Sequence, residues 1–101
     1  MSNKEFTNIV IQLVKDYANE HLDKSDNIQI TEDDVYIVWL CKTLQNHKAL
    51  ASTKLLDGMY YEITYNGDMK QIYLDAYKKI ENRCIELQSP PSFLEKKIHI
   101  K

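Results

Sequence analysis

Glycine is nearly absent from this chain: Gly58 and Gly67 are the only two in 101 residues. A glycine-rich loop that brings backbone N–H groups up to a phosphate is therefore excluded, and with it the P-loop and the dinucleotide-binding fingerprint. Apolar runs are short, well below the roughly 18 residues of a membrane-spanning helix, so no span is expected. Met1-Ser2-Asn3-Lys4-Glu5 offers neither the basic segment nor the apolar stretch of a secretory signal, and a cytoplasmic location is the expectation. Cysteine is scarce too. Cys41 and Cys84 each fall in an apolar periodic segment, which suits buried, reduced thiols better than a disulfide framework.

No sign of charge dominates. Thirteen basic and 15 acidic residues give a formal net charge of -2, which argues against direct nucleic-acid binding. Neither Gly-x-Ser-x-Gly nor a paired histidine–glutamate helix motif occurs. His21, His47 and His99 are widely separated, without cysteines at metal-ligand spacing, and read as surface or half-buried side chains. Asp23, Ser25, Asn27 and Asp34 stand at the spacing of a calcium loop, but Ile28 occupies its glycine position and an aspartate its terminal glutamate position, so a solvated turn is the better reading. No catalytic residue, metal or cofactor is assigned, and a non-enzymatic protein is expected.

What is present is 44% hydrophobic and 28% charged residues, ordinary usage for one packed domain. Ser2 and Glu5 make a capping box ahead of Phe6, Ile9, Val10, Leu13 and Tyr17, predicting a helix over 3–22. Thr31, followed by Glu32, Asp33 and Asp34, suits the start of a second helix. The next stretch, Val35 to Cys41, is β-branched and aromatic enough for a strand, but the cap and Lys42 to Asn46 favour a helix over 32–47. Asp57-Gly58 suits the tip of a type I′ turn between strands 50–56 and 59–65, pairing Lys54 with Tyr61 and Ser52 with Ile63. In that hairpin Met59, Tyr61, Ile63 and Tyr65 face the core, and Tyr60, Glu62 and Thr64 face water. Ile72, Tyr73, Ala76, Tyr77, Ile80, Cys84 and Leu87 trace a third helix over 68–87. The rival reading makes Asn66-Gly67 a second hairpin turn leading into a strand at 69–74.

The expected fold is thus α+β: a small single domain over 1–88 in helix-helix-β-hairpin-helix order, with helices packed on one face of a short antiparallel sheet. Ser89-Pro90-Pro91-Ser92 cannot continue a helix, so 89–101 is expected as an extended or weakly ordered tail. Val38, Leu44, Ile63, Ile72 and Ile80 are expected to share one core.

Seven tyrosines are the compositional excess. Tyr61, Tyr65, Tyr73 and Tyr77 are expected to pack inside with their hydroxyls at the rim. Tyr60, Glu62 and Thr64, with Asp57 and Asp68 near the strand ends, form the candidate partner-binding face, whose carboxylates would suit a basic groove on a protein partner. The alternatives are a self-assembling or DNA-associated accessory protein, with Lys78, Lys79 and Arg83 on the third helix as its contact face, and a small enzyme with no recognisable motif.

The runs Ile30 to Tyr36, Cys41 to Asn46, Asp57 to Gly67 and Ile72 to Lys79, with Trp39 between the first two, resemble a family of small proteins encoded by phages and prophages of low-GC Gram-positive bacteria. The resemblance covers about residues 5–85. That family has no assigned function, so the resemblance implies a setting and no catalytic residues. The setting is a phage accessory protein that binds a host or phage protein, as an inhibitor of a CRISPR effector nuclease would, or that adjusts phage replication.

Overall fold

The computed structural model describes residues 1–23, 25 and 27–87. Helix α1 spans Asn3–Glu20. Its start is fixed by Ser2, whose hydroxyl accepts from the Glu5 N–H at 3.1 Å while the Glu5 carboxylate accepts from the Ser2 N–H at 3.2 Å. Two amides that the helix leaves without partners are satisfied reciprocally. Phe6, Val10, Val14 and Ala18 form its buried stripe, spaced so that all four lie on one helical face.

After α1 the chain returns along the helix, and Ile30 is buried against it. At Thr31 the hydroxyl does not accept from a helical amide as expected; instead the Asp34 carboxylate accepts from the Thr31 N–H at 2.8 Å and from its hydroxyl at 3.0 Å. The helix expected over 32–47 does not follow. A single 3-10 turn over Glu32–Asp34 ends at Val35, whose backbone is extended (φ -98, ψ 133). Strand β1 then runs Val35–Thr43 and β2 runs Asn46–Thr53. The β-branched and aromatic side chains of β1 lose less freedom on a pleated surface than against a helical turn, and that preference outweighs the cap.

Strands β3, Met59–Asn66, and β4, Gln71–Lys78, complete a four-stranded antiparallel meander in the order β1-β2-β3-β4. The third helix expected over 68–87 is replaced by β4 and a segment over 79–87 without helix or strand. Asn66-Gly67 is the hairpin turn of the rival reading: the Asn66 side-chain oxygen accepts from the Asp68 and Met69 N–H groups at 3.1 and 3.2 Å. A Cβ at Gly67 would collide with the Gln45 carbonyl. The Asp57-Gly58 hairpin is corrected as well. These residues end a connection over 54–58 and are not a two-residue tip, so Ala51 lies opposite Tyr61 and Ala49 opposite Ile63.

One helix followed by four antiparallel strands keeps the α+β class and overturns the helix-helix-β-hairpin-helix order. Helix α1 packs on β1 and β2, where Ala49 and Ala51 let it approach closely and join Phe6, Val10, Val14, Tyr61 and Ile63 in the core. Of the expected core residues, Ile63 is fully buried and Ile72 partly so, but Val38, Leu44 and Ile80 are 47%, 81% and 97% exposed. Each of the three was assigned through a helical period that the strands do not have. Cys41 and Cys84 are exposed for the same reason. The tail over 89–101 lies outside the described residues. Among the described residues no helix is long and apolar enough to cross a membrane.

Candidate functional site

Because α1 covers one face of the sheet, the alternation of a strand sends every second side chain to the opposite, open face. Tyr60, Glu62 and Thr64 stand there in the phase read from the sequence, each half-buried by its neighbours. The register sets Tyr60 opposite Tyr77, Glu62 opposite Asp75 and Thr64 opposite Tyr73. Tyr73 and Tyr77, expected in the core, are therefore on the open face, and both are about half exposed. Reading β4 as a helix had grouped Ile72 with Tyr73 and Ala76 with Tyr77. As a strand it sends Ile72 and Leu74 toward the core residues Tyr65 and Ile63 and the two tyrosines the other way.

On the β1 side the face continues through Tyr36, opposite Ser52, and Trp39, opposite Leu50. Sequence reading missed both. The available signal was alternation, but the register shifts between Ile37 and Trp39, and the extra residue, Val38, breaks the period-two pattern.

The electrostatics are uneven. Glu62 and Asp75 are directly opposed like charges, an unfavourable cross-strand pair. Lys48 reaches Glu62 at 3.5 Å, whereas Asp75 has no ion-pair partner among the described residues. Asp57 and Asp68 do not join this cluster. Asp57 accepts from the Met59 N–H at 3.0 Å before β3, and Asp68 accepts from the Gln45 side chain beyond its other end. A strand of that length separates them by roughly 25 Å. Lys78 ends β4, and Lys79 and Arg83 follow outside any helix or strand, so the expected basic helix face does not exist.

On the covered side, His47 departs from the expected exposure. It is buried against Phe6 and Tyr65, with ring centroids 4.9 and 6.0 Å away, and neither ring nitrogen has a hydrogen-bond partner. Burial, reinforced by the positive charge of Lys42, pushes its pKa below the ordinary imidazole value. His21 is exposed, stacked on Tyr17 at 4.1 Å, and His99 lies outside the described residues. Among the described residues no three His, Cys, Asp or Glu side chains converge as metal ligands would. The open face can offer ring surface, tyrosine hydroxyls and an unpaired carboxylate, which is the chemistry of a contact surface.

A family model described as a family of unknown function, DUF6275, matches residues 7–87. No curated protein matches the chain, and no solved structure does.

Proposed function

We propose, from the premise that the chain belongs to the DUF6275 family of unknown function, that it is a non-enzymatic protein-binding module whose docking surface is the open sheet face. The observation that carries this reading is the set of four aromatic side chains, Tyr36, Trp39, Tyr73 and Tyr77, that stand 41–53% exposed on one side of the sheet. Large exposed aromatic patches mark interaction sites, and Tyr and Trp supply most hot spots. With Asp75 unpaired among the described residues beside Glu62, the matching surface is apolar with a basic group at its centre.

The resemblance to phage and prophage proteins supplies the finer version: an accessory protein in the bacterial cytoplasm that binds a host protein, with a CRISPR effector nuclease and its basic groove as the counter-defence target. An aromatic sheet face is also the geometry on which single-stranded nucleic acid stacks. Two carboxylates in the middle of this face repel phosphate, which favours protein.

The test is photocrosslinking in the host cell. A photoreactive residue at Tyr60 or Tyr73 should trap the same host protein, and one at Asn8, exposed on α1, should not. Equal trapping from Asn8, or none from the sheet positions, contradicts the reading.

A further inference from the structure

Strand β4 ends at Lys78, and the Lys79 N–H still donates to the Gly58 carbonyl at 2.7 Å. Beyond that bond, residues 80–87 lie outside any strand or helix, with Ile80, Ile85 and Leu87 97%, 69% and 56% exposed. Aliphatic side chains in water on a segment without a core of its own are an unfinished contact. One chain therefore carries two uncovered apolar surfaces, this arm and the open sheet face; the arm is net neutral, Lys79 and Arg83 against Glu81 and Glu86, and its Arg83 has the sign to pair Asp75. The face holds Glu62 and Asp75 with Lys48 near only the former. The arm holds Arg83 between its aliphatic residues, engaged among the described residues with neighbouring Glu81 at 2.6 Å.

We propose that in the free protein the open face is covered by the arm Lys79–Leu87 of a second copy, with Arg83 brought to Asp75. It rests on the open face being a docking surface, and it names the occupant that a target would displace. A second copy is favoured over the chain's own arm by the way the arm departs. Its first residue is pinned to Gly58, and residues 80–87 are all exposed, so the arm is not packed on its own sheet. An arm held off its own face is free to meet a neighbour, and reciprocal exchange closes as a two-fold dimer. Four half-exposed aromatic side chains offer on the order of 400 Å² per copy. With the aliphatic residues of two arms, the total reaches the roughly 1,200–2,000 Å² of a stable interface.

The test uses the full chain in sedimentation velocity over a wide concentration range. A dimer is expected, weakened about tenfold or more by Asp75→Arg or by Arg83→Asp, and restored by the two together, since the pair is then re-formed with reversed sign. The thiols give a second readout, because Cys41 is on the open face and Cys84 on the arm, both exposed. In a mixture of isotopically light and heavy protein, a bismaleimide should join Cys41 of one isotope to Cys84 of the other. A chain that stays monomeric, a dimer indifferent to both charge reversals, or crosslinks confined to single copies would each overturn the proposal. A monomer that still photocrosslinks a host protein from Tyr60 overturns this inference alone. A monomer that traps nothing there ends the docking reading as well.

Discussion

Asn19 holds Ile30 by both of its main-chain groups: the Asn19 amide donates to the Ile30 carbonyl at 2.9 Å, and its side-chain oxygen accepts from the Ile30 N–H at 2.7 Å. The side chain stands in for a strand partner at a place where the chain has no sheet neighbour. This pins the return from α1 and seats Ile30, 1% exposed, against the helix. Asn19→Ala leaves two partly buried backbone groups unpaired and should cost about 1–3 kcal/mol. Asn8→Ala, on the exposed face of the same helix, should stay within about 0.5 kcal/mol. Urea midpoints of the two variants check the difference, and amide exchange at Ile30 should quicken only in the first.

His47 predicts a pH dependence. Its imidazole is held below the ordinary value by burial, so the unfolded chain takes up a proton as pH falls through about 6.5 while the folded chain does not. Stability from this group is complete above that value and is lost as pH drops toward the folded pKa, at up to about 1.4 kcal/mol per pH unit. His47→Phe should flatten the curve in that window. The Glu5, Asp23 and Asp34 carboxyls, all lowered chiefly by backbone hydrogen bonds, lose their contribution only near and below pH ~4. Urea melts of both proteins between about pH 5 and 8 should diverge below pH ~6.5, and parallel curves would contradict this.

The β1–β2 turn carries a strained residue. Leu44 has a positive φ of 56 and is 81% exposed, a conformation that costs a β-carbon residue about 1–2 kcal/mol and that asparagine tolerates better. Leu44→Asn should raise the melting temperature by a few degrees, the equivalent of about 0.5–1 kcal/mol. Gly67→Ala should lower it, since the added methyl meets the Gln45 backbone.

Burial sets apart Ile63, Ile80 and Tyr60. Ile63 is fully buried, and Ile63→Ala should cost about 2–4 kcal/mol. Ile80→Ala in dilute protein should change stability by less than about 0.5 kcal/mol. Tyr60→Ala, on the open face, should stay below about 1 kcal/mol for folding and weaken partner binding by more than that.

What could be read from the residues alone followed local chemistry. The Ser2–Glu5 box and the in–out phase of Met59 to Tyr65 were readable, because each is set by side chains within a few positions; of the α1 stripe Phe6 and Val10 were readable, while Val14 and Ala18 were missed and Ile9, Leu13 and Tyr17 are only partly buried. The β1–β2 hairpin was not, since Thr43-Leu44-Gln45-Asn46 has no glycine at the position that needs positive φ. Residues 72–87 misled because their apolar side chains fit a helical period, while β3 supplied the ladder that made 71–78 a strand. The candidate face was half visible: Tyr60, Glu62 and Thr64 were placed by alternation. Tyr73, Asp75 and Tyr77 followed only from the register that pairs β4 with β3, and Trp39 only from the shift at Val38.

Trp39 is the only tryptophan in the chain and lies on the open face, 41% exposed, so its fluorescence reports directly on occupancy of that face. Titrating the host protein trapped from Tyr60 into the Arg83→Asp variant, whose open face no second copy covers, should shift the Trp39 emission to the blue and protect it from acrylamide quenching, in step with binding. Saturable binding that leaves both emission and quenching unchanged would place the contact elsewhere and contradict the open face as the docking surface.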